Sequence, residues 1–214
     1  MSARDQLVSD LQRDGAVGVL LMVQMDGVPE TLQFVVTTTV MDESRGGLRE
    51  IGHYVIRAIG VIEHRVSVGM FGELRFVTGQ HPLLYAYNSQ PAALFFRGQA
   101  PDANALLVDV LQAYASTFGE WRQIPEYLNR SRPLLSLLAS SGDLLGEMPG
   151  PLADALTPVL EAHGLETKVM LGEAPLDADE HGRSQLRQAL LIDDSYVVAL
   201  DFSVETLGGR GVRD

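Results

Sequence analysis

Between Ala16 and Val77 the chain passes through four apolar stretches rich in Val, Ile and Thr, separated by short loops at most. Links that short leave no room for crossover helices, so the stretches are expected to turn back on one another as antiparallel strands. Residues 16–25 are continuously apolar and read as a buried strand. Asp26-Gly27 supplies a turn. From Thr31 to Met41 the alternation places Leu32, Phe34, Val36 and Val40 on one face, and the Thr37-Thr38-Thr39 run favours strand over helix. Residues 50–65 carry apolar side chains on both sides, which predicts one long central strand. Residues 66–78 continue the pattern, with Gly69 and Gly72 as places for a bend or bulge.

Helical spacing frames these strands. Leu7, Val8 and Leu11 predict a short helix over 3–13, stopped near Gly15. After a strand at Ala92–Phe96, Asp102 is a suitable N-cap for a helix with Leu106, Leu107, Val110, Leu111, Tyr114 and Phe118 as its apolar stripe. Gly119 closes it. The Leu-rich segment 132–147 predicts a short helix, a break at Ser140-Ser141-Gly142 and a further helical turn. Pro149-Gly150-Pro151 is the clearest punctuation, followed by a helix over 152–163 and a strand over 166–171. Residues 186–192 and 195–205 read as a hairpin across Asp193-Asp194. The opening RDQLVSDLQRDG and the later LADALTPVLEAHG echo each other, each an amphipathic helix stopped by Gly before a strand.

Composition narrows the function classes. The 214 residues carry 16 Lys+Arg against 28 Asp+Glu, a formal net charge of -12. That balance argues against direct nucleic-acid binding, which needs clustered basic residues, and against adhesion to anionic membranes. Cysteine is absent, which removes disulfides, thiolate metal sites and Cys nucleophiles. Lys168 is the only lysine, so Schiff-base and P-loop chemistry are removed from most of the chain. The N-terminal residues lack the apolar core of a signal peptide, and no apolar run approaches the ~20 residues of a membrane span. A cytoplasmic protein is expected.

No catalytic or metal pattern emerges. His53, His64, His81, His163 and His181 include no i,i+4 helical pair, and His53 and His64 fall on opposite faces of the expected strand. Asp177, Asp179, Glu180 and His181 form an acidic loop without EF-hand spacing and read as solvated. Asp193-Asp194 reads as a turn. Ser140-Ser141-Gly142 lacks a nucleophile-elbow context. The expectation is no catalytic residue, no metal and no cofactor. The most unusual local sequence is HPLLYAYN at 81–88, followed downstream by Phe95-Phe96-Arg97, Trp121 and Tyr127. Tyr, Trp, Phe and Arg are enriched in interface hot spots. Tyr85, Tyr87, Phe96, Arg97, Trp121 and Tyr127 are therefore the partner-binding candidates. The alternative is a small-molecule-binding or enzymatic domain that uses the region His81–Arg97.

The order of helix, antiparallel strands and Leu/Tyr/Phe-rich helix resembles the YbjN family and is similar to type III secretion chaperones. It rests on RDQLVSDLQRDG, the strands at 31–41 and 51–78, ALFFRG and LLVDVLQAYASTFGEW; with the preference for Arg over Lys it is similar to YbjN-like proteins of the Deinococcus group. The resemblance implies an α+β fold of antiparallel sheets flanked by helices, in type III secretion chaperone-like modules. The resemblance covers a chaperone-like domain at 1–119 and, more loosely, a C-terminal α+β module at 151–207; the reading along the chain places a helical connector at 120–150 between them and a disordered tail at 208–214. The resemblance further implies a non-enzymatic, dimeric, protein-binding adaptor or chaperone. The acidity suits a basic protein client such as a nucleic-acid-binding protein.

Overall fold

The computed structural model describes residues 1–42, 44, 46–175 and 186–208. The chain begins with α1 (Ala3–Leu11), β1 (Ala16–Met25), β2 (Thr31–Asp42), β3 (Gly47–Ile59), β4 (Glu63–Arg65), β5 (Gly69–Phe71) and β6 (Leu74–Val77). A 3-10 turn (Pro82–Leu84) then leads into α2 (Tyr85–Asn88), β7 (Pro91–Arg97), α3 (Ala103–Phe118), α4 (Leu134–Leu138), β8 (Gly142–Pro149), α5 (Gly150–Ala162) and β9 (Glu166–Leu171). Last come β10 (Gln188–Ile192), β11 (Ser195–Ala199) and β12 (Asp201–Thr206). Every strand pair among the described residues is antiparallel, and the fold is α+β.

The chain divides into two compact units, Met1–Thr78 with Arg187–Asp214, and Gly79–Leu186. These bounds replace the sequence-expected ones at 119 and 150. The reason is a long-range ladder: β6 pairs with β10, Val77 opposite Ala189, so the second unit is an insertion between two paired strands of the first. Each unit has its own core. One is built from Leu7, Phe34, Tyr54, Ile56, Leu190 and Phe202 among others, the other from Leu94, Phe96, Leu106, Phe118, Leu145 and Leu156 among others. The expected tail at 208–214 lies outside the described residues except for Gly208.

Unit 1 contains two sheets, ordered β12-β3-β2-β1-β5 and β4-β11-β10-β6. The single strand expected over 50–65 is two strands in different sheets, because Gly60 takes a positive φ of 66° between β3 and β4. The same happens at 66–78, where Gly72 separates β5 from β6, and at 195–205, where β11 and β12 part at Leu200. The β10–β11 hairpin forms as expected, Ile192 opposite Ser195. Its Asp193 carboxylate accepts the backbone N–H groups of Gly72 and Glu73.

Helix α1 starts in a capping box: Ser2 accepts from Asp5 N–H while Asp5 accepts from Ser2 N–H. The Ser2 hydrogen bonds hold the Asp5 carboxyl below its ordinary value. The helix places Leu7 in the core and Asp10 beside it, 2% exposed. Asp10 accepts from Tyr54 Oη at 2.5 Å and Thr38 Oγ1 at 3.4 Å, and meets Arg13 Nη2 at 2.7 Å. Burial, then the Asp10 hydrogen bond, raises the Tyr54 phenol well above its usual range. Tyr54→Phe leaves the buried carboxylate one donor short and is expected to cost about 1.5–3 kcal/mol, read as a lower denaturation midpoint for unit 1. A change below about 0.5 kcal/mol would count against this role.

Unit 2 is a three-stranded sheet in the order β8-β7-β9. Both outer strands run antiparallel to β7 and so parallel to each other, joined through α5 with β7 between them. The segment DLLGEMP, expected as a helical turn in a connector, is strand β8. Leu-rich composition suggested helix, whereas pairing with β7 decided the outcome. Helix α3 forms as expected: the Asp102 carboxylate accepts from Asn104 and Ala105 N–H, and Leu106, Val110, Tyr114 and Phe118 form its buried stripe. Inward-facing Ala92, Leu94 and Phe96 of β7 meet this stripe and Leu152, Leu156 and Leu160 of α5. The echo between the two helix–Gly–strand segments is one of helix-stop chemistry, Gly15 at φ 67° and Gly164 at φ 76°. The surroundings differ, since β1 is an inner strand of five and β9 an outer strand of three.

Candidate functional site

All six sequence-derived binding residues fall in unit 2, but the structure does not gather them on one surface. Phe96 is 3% exposed, because alternation along β7 turns it to the helices. Tyr85 and Tyr127 lean on Phe118 with ring centroids 6.1 and 5.3 Å away. Trp121 meets His81 edge-on at 5.6 Å. Tyr87 is half-buried on α2, and Arg97 alone is exposed. The unusual HPLLYAYN segment is mainly a packing device. His81 caps the 3-10 turn by accepting Leu83 N–H, Leu83 and Leu84 are buried, and buried Arg122 donates to the Leu83 carbonyl. Tyr114 donates to the Gln123 carbonyl at 3.0 Å, and burial pushes its phenol up to about 12.

The chemistry-bearing surface of unit 2 lies on the other face of the sheet. There Ala93, Phe95 and Arg97 of β7 stand opposite Met170, Lys168 and Glu166 of β9. A hollow of about 380 Å³ runs over Phe95, Arg97, Glu166, Lys168 and Met170. The two outer edges of the sheet are treated differently. Along β8 lies the segment 127–129: Asn129 N–H donates to the Leu145 carbonyl at 2.7 Å and its side-chain amide to the Leu144 carbonyl at 2.9 Å. The approach is so close that a Cβ on Gly146 would sit 2.1 Å from the Tyr127 carbonyl oxygen. Along β9, no backbone hydrogen bond among the described residues reaches the side away from β7. That edge ends in Val169, Met170 and Leu171, exposed by 38, 52 and 63%.

An unpaired edge with consecutive exposed apolar residues is the feature that folded proteins usually suppress, most often with a charge. Here the sole lysine, Lys168, guards the first half of β9, and the second half has no charge. Such an edge can accept one more strand, with backbone hydrogen bonds for affinity and side chains for selectivity. Sequence reasoning found β9 but not its exposure. A short run such as Lys168–Leu171 reads alike for an outer and a central strand.

Other chemistry-bearing groups are set in structural roles. Thr37 Oγ1 lies 3.0 Å from His53 Nδ1, and His53 Nε2 lies 3.4 Å from Glu50, a hydroxyl–imidazole–carboxylate row on sheet β12-β3-β2-β1-β5. Thr37 is 2% exposed, which leaves its hydroxyl no approach for a substrate. His53 is on β3 and His64 on β4, so they belong to different sheets. His163 Nε2 ties α5 to Asp109 of α3 at 2.7 Å. Asp177, Asp179, Glu180 and His181 lie outside the described residues. No group of three or more potential metal ligands occurs among the described residues, and none of their helices is long and apolar enough to cross a membrane. No family model, curated protein or solved structure matches the chain.

Proposed function

We propose that this chain is a non-enzymatic, cytoplasmic adaptor that holds an extended segment of another protein against the free edge of β9. The observation that carries the reading is the contrast between the two edges of the unit 2 sheet: β8 is covered by its own chain, while β9, ending in Val169-Met170-Leu171, has no backbone partner on its outer side among the described residues. Strand addition needs no catalytic group, in keeping with the non-catalytic role that the resemblance to YbjN-like proteins and type III secretion chaperones implies. Self-association into a dimer belongs to the same reading. The net charge of -12 favours a basic client, such as a nucleic-acid-binding protein, by speeding encounter at low salt.

The test is affinity capture from a cell extract at low and high salt, run in parallel with wild type and Met170→Lys/Leu171→Lys. Both positions are more than half exposed, so the substitutions leave the core intact. Wild type is expected to retain a specific protein that the variant loses, with retention falling as salt screens the charge. Equal retention by the variant would remove β9 from the reading. Light scattering after size exclusion measures the dimer separately.

A further inference from the structure

A groove of about 590 Å³ lies between α1 and β6 of unit 1, within the roughly 300–1,000 Å³ typical of ligand sites. One wall is α1, which contributes Arg4, Val8 and Gln12; the other is the whole of β6, Leu74 to Val77, continuing into Thr78. Consecutive residues of one strand can line a groove only if the groove follows the strand's edge. β6 is the outermost strand of its sheet, and no backbone hydrogen bond among the described residues reaches its side away from β10. A helix facing an open strand edge is a geometry that receives a peptide as an added strand.

The side chains define what fits. Along β6, Leu74 is buried and Phe76 half-buried, while Arg75 between them is exposed on the opposite face. An added strand has the same period of two, so alternate residues would lie beside Leu74 and Phe76, and the others beside Arg75. Arg4 lies over the Phe76 ring, 3.9 Å from its centroid, and has no ion pair among the described residues. Arg75 pairs with Glu73 at 3.0 Å, but both are about 60% exposed, so the pair is weak and exchangeable. The carboxylate of Asp5 is already engaged by the Ser2 cap. In a chain of strong negative charge, this groove presents Arg4 over its apolar floor and Arg75 on the other face of β6, with the nearby Asp5 and Glu73 carboxylates each already bonded.

We propose that the α1–β6 groove binds an extended peptide in which acidic and apolar residues alternate, as a further strand on β6. The site is in unit 1 and stands independently of the β9 reading. The probe is a fluorescein-labelled octapeptide of alternating Glu and Val, with its Lys-Val counterpart as control, titrated into the full chain at low salt. The acidic peptide is expected to bind saturably and the basic one not. Arg4→Glu/Arg75→Glu should weaken binding by about tenfold or more, equivalent to about 1.4 kcal/mol. Bound peptide should protect backbone amides within residues 74–78 from hydrogen exchange, and Met170→Lys/Leu171→Lys should bind it as wild type does. Absence of binding, equal binding of both peptides, indifference to the double charge reversal, or protection at β9 instead of β6 would each overturn the proposal.

Discussion

Replacing Gly79–Arg187 with an Asn-Gly dipeptide is expected to leave unit 1 folded and cooperative. Excising half of a chain ordinarily destroys it, so the expectation is a strong one. It follows from the β6–β10 ladder. Val77 already pairs with Ala189, and the next opposed positions are Thr78 and Gln188. A two-residue loop of Asn-Gly is the favoured closure for antiparallel strands at that separation. Among the described residues, no core residue of unit 1 comes from the excised segment: its buried cluster runs from Leu7 to Leu74 and from Leu190 to Phe202. Near-UV circular dichroism and a single denaturation transition check the result. A chain without a cooperative transition would show that unit 1 depends on unit 2.

Phe118→Ala is expected to cost unit 2 about 3–5 kcal/mol, the range for emptying a large aromatic site in a core. Phe118 is fully buried at the end of the α3 stripe and is touched by three rings, those of Tyr114, Tyr127 and Tyr85, at 5.0, 5.3 and 6.1 Å. Truncation removes a partner from all three at once. For a unit of about 100 residues, each kcal/mol shifts the thermal midpoint by roughly 4–8 °C. The unit 2 midpoint should therefore fall by roughly 12 °C or more, while the unit 1 midpoint stays in place because the two cores share no residue. Differential scanning calorimetry separates the two. A parallel shift of both transitions would contradict independent cores.

The local elements were legible wherever one residue had one physical task. Asp102 could be read as a cap, Gly119 as a stop and the stripe from Leu106 to Phe118 as a buried helical face. The alternation from Leu32 to Val36 identified the inward face of β2. Non-local pairing was not legible. Nothing near Val77 points to Ala189, so the insertion could not be seen, and residues 50–65 read as one strand although Gly60 sends its end to a second sheet. Leu144 and Leu145 favour helix in isolation, and only β7 makes them strand.

The site was less legible than the fold. Aromatic composition drew attention to Tyr85, Phe96 and Tyr127, yet those rings serve the unit 2 core, where an aromatic side chain buries most area. Met170 and Leu171, exposed on β9, are aliphatic and ordinary in sequence. What distinguishes them is position on an outer strand, and position is a property of the sheet.

The most direct measurement is backbone hydrogen exchange of the full chain, alone and with a protein it retains in affinity capture. The expected result is slowed exchange across Glu166–Leu171 on binding, from a strand added at the open edge. Unchanged exchange at β9, with protection elsewhere on the chain, would contradict the central claim.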